Sequence, residues 1–476
     1  MNILLVNTNR MKPAIAPIGL DYLAESLLAV NHQINLLDLC FSEDISADIN
    51  HAVSNFSPDV IGVTVRNTDD CYFSGGAFFL PEIKEIVSQL KAASDALIVM
   101  GGVGFSVAPE KVLEFCGGDY GIAGEGESAF VCLLKALGTG SSLSSVPGLV
   151  WYENGCIRRN PSVDVDLDTF PARKRTLPDN PRYYREGGQA GFETKRGCNM
   201  NCIYCADPVS KGRHIRLRSP ELVVEELRAL FNQGISYFHT CDCEFNIPGQ
   251  HAKDVCQGII NAGLSDKIHW YAYCSITPFD SELAALMKLA GCAGIDFGAD
   301  SGSDVILKRL GRNFTSSDLA ETARLCHEYN IAFMYDLLIG GPNDTRESVG
   351  ETLELMQRID ADCVGVSMGV RIYEGTGMAE FIRSQGNMST NPNLYGAKEN
   401  NPHFLRPVFY ISPNLGEGII GYMHSLVGND TRFFLPGNEE VDNNYNYNAN
   451  TVLVNAIAKG ERGAYWDMLR KKVRSK

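Results

Sequence analysis

Two successive series of short β-rich runs alternating with amphipathic stretches dominate this 476-residue chain, and such alternation restricts each series to a parallel sheet wrapped by helices. In the first series, strands begin near Asn2, Ile34, Asp59, Ala96 and Asp119, and PIGLDYLAESLLAV between the first two sets Leu20, Leu23, Leu27 and Leu28 on one helical face. In the second, strands are expected near 191–195, 235–240, 268–273, 294–299, 331–338 and 363–368, and the helix after the second-series first strand opens at Ser219-Pro220 and ends by Gly234. Six such units suit a partial (β/α)6 barrel. The expected fold class is therefore α/β: a wound parallel sheet over 1–141, a linker over 142–190, the barrel over 191–390 and a small C-terminal capping region over 391–476. The linker holds a hairpin around Asn154-Gly155. The Asn/Tyr-rich stretch 441–450 reads as a solvated loop, and the last helix, near 463–473, as basic and solvated.

Lys and Arg total 42 against 57 Asp and Glu, for a formal charge of −15. That field repels polyanions, so nucleic acid is not expected as a partner. The N-terminal MNILLVNTN lacks a basic n-region and no window approaches ~20 uninterrupted apolar residues, so no transmembrane segment is expected and the chain reads as cytoplasmic. Fifteen scattered cysteines, an odd number, favour reduced thiols and metal ligation over a disulfide framework.

Parallel sheets bind ligands at the carboxyl ends of their strands. In the first series those ends carry residues 7–10, 64–67, 101–106 and 124–127, whose glycines permit close backbone approach. In the second, the first strand runs into KRGCNMNCIYC, which sets Cys198, Cys202 and Cys205 in a C-x3-C-x2-C spacing. Three thiolates can fold round one compact metal centre in the loop where barrel active sites form. A structural zinc site would need a fourth ligand such as His214. On a four-iron cube, three ligands leave one iron open for chemistry.

This spacing, with Tyr204 before the last cysteine and Arg196-Gly197 in front, resembles the cluster loop of the radical S-adenosylmethionine (SAM) enzymes. The resemblance implies that Cys198, Cys202 and Cys205 hold a 4Fe-4S cluster, that SAM binds the fourth iron, and that Tyr204 lies beside the adenine. FHTCDCEFN (238–246) resembles the segment that meets the methionine amino group, with Asp242 or Glu244 substituting for the usual Glu. FGADSGSDVILKRLGR (297–312) resembles the fourth-strand motif, with Asp300 in place of Glu and Ser301 after it, and Ser275 joins the implied SAM contacts. LLIGGPNDTRES (337–348) and GVRIYEGT (369–376) resemble the fifth and sixth strand ends.

PIGLDYLAESL (17–27), GGVGFSVAPEKVL (101–113) and DYGIAGEGESAF (119–130), ahead of such a barrel, resemble the Rossmann-like cobalamin-binding domain of the B12-dependent branch of that family. VPGLVWYENG (146–155) and DLDTFPARKRTLP (166–178) are similar to the same branch. By that resemblance Asn7, Thr64, Gly101, Gly102, Ser106, Gly124 and Glu125 surround the corrinoid. The D-x-H-x-x-G pattern is absent and neither His32 nor His51 has its context, so cobalamin is expected without a histidine ligand. The implied activity is methylation of an unactivated carbon of a small-molecule, lipid or natural-product substrate, through a 5′-deoxyadenosyl radical and methylcobalamin. An external electron donor such as a flavodoxin or ferredoxin goes with it, and the substrate is expected between the domains, beneath the C-terminal region.

The nearest rival keeps the cofactors but performs a ring closure, oxidation or rearrangement without methyl transfer. The tRNA methylthiotransferases share the barrel but add three N-terminal ligand cysteines and a basic tail; Cys40, Cys71, Cys116 and Cys132 lack ligand-like pairing and the chain is acidic. A non-catalytic zinc- or corrinoid-binding module would leave the barrel loops without purpose. Cys241 and Cys243 flank Asp242 at a strand end, where they suit contact with substrate or redox chemistry, though such thiols more often read as small buried hydrophobes. Arg371 and Tyr373 suit either a substrate anion or a structural ion pair.

Overall fold

The computed structural model describes residues 1–437 and 448–474. The first sheet has seven strands in the order β2-β1-β3-β4-β5-β6-β7, formed by β1 (Asn2–Asn7), β2 (Gln33–Asp38), β3 (Val60–Thr64), β4 (Leu97–Gly101), β5 (Tyr120–Ile122), β6 (Leu149–Glu153) and β7 (Cys156–Arg159). The first five are parallel and the last two antiparallel. Strand alternation divides β1 between two cores: Leu4 and Val6 join one hydrophobic cluster, Ile3 and Leu5 the other. Burying each such side chain contributes roughly 1.5–3 kcal/mol before chain entropy is charged against it. The hairpin expected within the linker thus extends the first sheet. Leu28, expected on the buried face of helix Ile18–Ala29, is 48% exposed, because the stripe through Leu20, Leu23 and Leu27 turns away from it.

The second sheet is a partial barrel. After β8 (Ala190–Phe192) come the hairpin strands β9 (Lys195–Arg196) and β10 (Arg216–Leu217), then β11 (Tyr237–Thr240), β12 (His269–Cys274), β13 (Cys292–Asp300), β14 (Ala332–Ile339) and β15 (Cys363–Met368). Strands β8 and β11 to β15 lie parallel and in sequence order. Beyond them, β16 (Val370–Arg371), β17 (Leu394–Gly396) and β18 (Val408–Tyr410) form a small antiparallel sheet, and β19 (Phe433–Phe434) adds to the outer edge of β15. Ile295, Phe297, Tyr335 and Leu337 pack outward under the helices, so Gly294, Asp296, Gly298 and Asp336 face the lumen.

The terminal helix, Tyr465–Arg474, corrects the expectation of a solvated face. Trp466 is 1% exposed and packs with Tyr271, Met334, Cys363 and Phe434 at the strand-start end of the barrel. A Cβ on Gly294 would lie 3.0 Å from both Trp466 and Tyr271, so any larger residue there would have to push the two rings aside. Tyr271 donates to Asp467 at 2.8 Å. The last helices therefore plug the floor of the barrel, while 391–437 supplies elements near the strand ends, β17 and β18 beside β16. Most of the 441–450 stretch lies outside the described residues.

The domains are clasped by buried charge. Arg175, fully buried in the segment between the sheets, bonds Asp21 of the first domain at 2.7 Å and Glu226 of the barrel helix Pro220–Phe231 at 2.6 Å. Arg218 and Tyr22 also bond Glu226, at 2.5 and 2.7 Å. Burial pushes the Glu226 carboxyl up, but Arg218, Arg175 and Arg173 outweigh it and hold the group down to about 2. A carboxyl depressed below its unfolded value of about 4.3 gives stability that is complete above that value and lost as pH falls through the folded one. Urea midpoints are expected to carry this contribution unchanged from neutral pH to about 4.3 and to lose it by about 2, a component missing from Glu226→Gln.

Candidate active site

The cysteine loop is held in the β9–β10 hairpin. Gly197 has φ +88° and a Cβ there would sit 2.1 Å from the His214 carbonyl oxygen, so the chain can enter the loop only as glycine. All three loop cysteines are free thiols. Arg312 Nη1 reaches Cys202 Sγ at 3.0 Å, and Cys243 hydrogen-bonds Cys198 and holds it below the usual thiol range. Burial pushes Cys202 up to about 11 against the pull of Arg312. His214, weighed as a zinc ligand, has a side chain 73% exposed and pairs with Asp164 at 3.2 Å. Among the described residues no three His, Cys, Asp or Glu side chains converge on a single-ion site. Three thiols with a neighbouring cation fit the larger, anionic thiolate-bound 4Fe-4S cluster.

Beside the loop, Tyr204 donates to Asp300 at 2.6 Å and Arg312 lies 3.4 Å from the same carboxylate. Asp300 has φ +59° and follows a register shift against β14, a bulge that turns its carboxylate toward the thiols. Ser275 is buried with no hydroxyl partner among the described residues, an orphan that a bound ligand would satisfy. Asp242 and Glu244 separate clearly. Asp242 accepts from Thr194 N at 2.9 Å, Thr194 Oγ1 at 2.6 Å and Lys195 N at 3.2 Å, so it fixes the strand leading into the cysteine loop. Glu244 retains accessible surface near Cys198 and Arg312, and burial pushes its carboxyl up to about 8. Ser301 is turned to Thr352 at 3.1 Å and to the Ser303 amide, which pins its own loop.

Facing the barrel are the carboxyl ends of β1, β3, β4 and β5. Several polar groups expected at a corrinoid tie these loops together instead. Asn7 donates to Asp38 and Tyr183 at 2.9 Å. Ser106 joins the Gly102 carbonyl and the Gly124 amide at 2.9 Å. Gly102, at φ +102°, has no room for a Cβ beside Val65 O and Thr64 Oγ1, and Gly101 ends β4. Glu125 bonds Arg216 at 2.5 Å, while Glu127 bonds Arg196 at 2.6 Å, so the GEGE turn grips both strands of the cysteine hairpin. What remains open toward the crevice is mainly backbone. Asn9 Nδ2 is buried there with no partner among the described residues, a donor that fits an amide-bearing corrin. His32 lies against Met1 at the strand starts and His51 against Asn55 on an outer helix, both away from this edge.

Some residues here carried no sequence signal. Arg66 follows β3 and lies near Tyr273, Cys241 and Tyr465; burial lowers its guanidinium pKa. Arg312 could be noticed only as the basic end of LKRLGR. Cys241 is exposed and Cys243 half-buried, which corrects their reading as buried thiols. Arg371 pairs with Asp69 at 2.8 Å, and both are buried, so it makes a structural ion pair joining the domains.

A cysteine-loop barrel clasped to the strand ends of a wound parallel sheet is the arrangement of a cobalamin-binding radical SAM enzyme, and the chain carries both domains of that family. The B12 binding domain matches residues 5–134 and the Radical SAM superfamily residues 192–356. Its cofactors are cobalamin, a 4Fe-4S cluster and SAM. The chain is similar to tryptophan 2-C-methyltransferase of Streptomyces laurentii, 29% identical over 97% of this chain and 94% of that one. It is also similar to the radical SAM methyltransferase TsrM of Kitasatospora setae solved with tryptophan and a SAM analogue, at 29% identity and a TM-score of 0.92, covering 99% of this chain and 98% of that one. The same enzyme solved with cobalamin and a 4Fe-4S cluster gives 28% identity and a TM-score of 0.88, over 99% of both chains. No helix among the described residues is long and apolar enough to cross a membrane.

Proposed function

We propose that this enzyme methylates a carbon of a small polar aromatic substrate, with tryptophan the first candidate, rather than a lipid. The observation that carries the reading is the lumen beneath the cysteine loop. Tyr273 is 40% exposed although it sits in a central strand, so it lines a cavity, together with Asp336 and Glu244. A lipid chain would desolvate the Tyr273 hydroxyl and the Glu244 carboxyl without offering either a hydrogen bond. The full-length likeness to two tryptophan-linked enzymes supports the same choice.

When bound, SAM supplies the methyl group, cobalamin carries it, and the cluster provides one-electron chemistry fed by an external donor such as a flavodoxin or ferredoxin. Cys198, Cys202 and Cys205 would hold the cluster; Tyr204, Ser275, Asp300 and Glu244 would receive SAM. Arg312 balances charge at Cys202 and Asp300. The Trp466 plug closes the floor of the lumen, and the interdomain clasp holds the two halves against each other.

Asp242→Asn and Glu244→Gln are expected to part company. The first weakens buried bonds to two backbone amides and costs about 1–3 kcal/mol in denaturant titration. The second leaves stability within about 0.5 kcal/mol and weakens SAM binding about tenfold by calorimetry. Function itself is tested with reconstituted enzyme, a reduced flavodoxin, SAM and tryptophan. C-methylated product with S-adenosylhomocysteine is the expected outcome, and deoxyadenosine in proportion to product reports the radical route. Deoxyadenosine without a methylated product would assign ring closure, oxidation or rearrangement instead.

A further inference from the structure

The cysteine loop has an outer side as well as a lumen side. Asn199 and Asn201, on either side of buried Met200, are exposed, so a single layer of chain separates solvent from the thiols. Two neighbours are stitched to the loop here. Arg213 Nη1 donates to the Met200 carbonyl at 3.3 Å and to Asn201 Oδ1 at 3.4 Å, and the Ile203 amide donates to the Leu310 carbonyl at 3.0 Å. Leu310 ends the short helix Asp304–Arg309, in which Ile306 and Leu307 are buried while Val305, Lys308 and Arg309 are exposed, the i, i+3, i+4 spacing of one outward stripe. Val305, at 73%, is more exposed than any other large apolar side chain among the described residues. Arg213 is exposed as well, and neither it nor Lys308 nor Arg309 stands in an ion pair among the described residues. The acids nearby are engaged elsewhere: Asp304 accepts from the Ser316 amide, Asp207 pairs with Lys211, Asp164 with Arg216, and Glu380 bears on Arg383. On a chain of formal charge −15, free cations and a bare apolar side chain beside the cluster loop form a local exception that solubility does not call for.

We propose that this face docks the protein that delivers electrons, an acidic carrier of the flavodoxin type. The cations are spread over a helix and a separate loop, which suits a protein surface and not a small anion. Carboxylates around the apolar edge of a flavin would meet Arg213, Lys308 and Arg309 while the edge itself meets Val305. Electron transfer weakens steeply with distance, and here the least protein lies between carrier and thiols. One electron leaves the reduced flavin and enters the cluster, and no bond forms or breaks. Two proteins that are both acidic repel as wholes, so a local basic face is what lets them meet in register. The docking face rests on the reading that an external carrier feeds the cluster.

Binding of oxidised flavodoxin to the reconstituted holoenzyme, followed by calorimetry, tests the face without turnover. Affinity is expected to fall about tenfold or more between ~0.1 and ~1 M salt, as the screening length shrinks. The double variant Lys308→Glu, Arg309→Glu is expected to bind about 10–100-fold more weakly, and Arg228→Glu, which reverses an exposed cation on the helix Pro220–Phe231, to bind within about twofold of wild type. Turnover is then measured in two arms. With reduced flavodoxin the double variant is expected to need about 10–100-fold more carrier for half-maximal rate, whereas with sodium dithionite, which needs no docking, it is expected to match wild type. Wild-type flavodoxin affinity in the double variant, binding indifferent to salt, an equal loss in Arg228→Glu, or a double variant as slow with dithionite as with flavodoxin would each overturn the docking face. Charge-dependent flavodoxin binding, with no methylated product from wild type even under dithionite, would keep the face and sink the methyltransferase. Product under dithionite with no flavodoxin binding at all would do the reverse.

Discussion

Cys202→Ala is expected to lose the iron–sulfur cluster and with it all measurable turnover. Two thiols cannot hold three corners of a four-iron cube, and the variant also leaves Arg312, its side chain 3% exposed and 3.0 Å from the missing sulfur, without that partner. Anaerobic reconstitution followed by iron and sulfide analysis is the direct measurement; the expected product is a protein that folds, because Cys202 is only partly buried, but takes up no iron or sulfide and makes neither S-adenosylhomocysteine nor deoxyadenosine. Cys243→Ala is the informative comparison. Its thiol touches Cys198 from outside the triad, so it should keep wild-type iron content. Wild-type iron in Cys202→Ala would mean that Cys243 completes the ligand set and would refute the assignment of the triad.

Arg175→Ala is expected to be the most destabilising change away from the cofactors, by about 3–5 kcal/mol, since it leaves buried Asp21 without its ion-pair partner and takes one guanidinium from buried Glu226, which keeps Arg218. Asp21 and Glu226 lose their bonds at 2.7 and 2.6 Å in an environment water does not reach, and the Arg175 bond to the Gly191 carbonyl at the start of the barrel is lost as well. The contrast is Arg182→Ala, whose pair with Glu186 is about two-fifths exposed on both sides and should change stability by no more than about 0.5 kcal/mol. Guanidinium unfolding of both variants checks the pair of expectations. Equal midpoints would show that the clasp is not what holds the domains in register. A separated domain transition in Arg175→Ala would show that each half stands without it.

The alternation of strands and helices and the cysteine spacing were legible because both are local: a strand buried on two faces needs a continuous apolar run, and a cluster loop needs its thiols within one turn of chain. Fully buried runs such as Ile3 to Val6 leave no other reading. Charge pairing over long sequence distance carries no such imprint. Glu125 looked like a crevice residue because it ends a strand, yet it faces Arg216, 91 positions onward. Asp242 and Glu244 share a loop and a residue type, and only the fold shows that Thr194 claims the first. The terminal helix misled for a different reason: its buried side chains, Tyr465, Trp466, Met468 and Leu469, are too few to display a period beside four basic neighbours.

Closing the strand-start end with Trp466 makes that end of the barrel a blind floor, so a molecule lying against it comes and goes by the opposite, strand-end side. Whatever is lodged nearer that side then stands in the way of what lies deeper, and a competitor seated there would hold captive whatever is behind it.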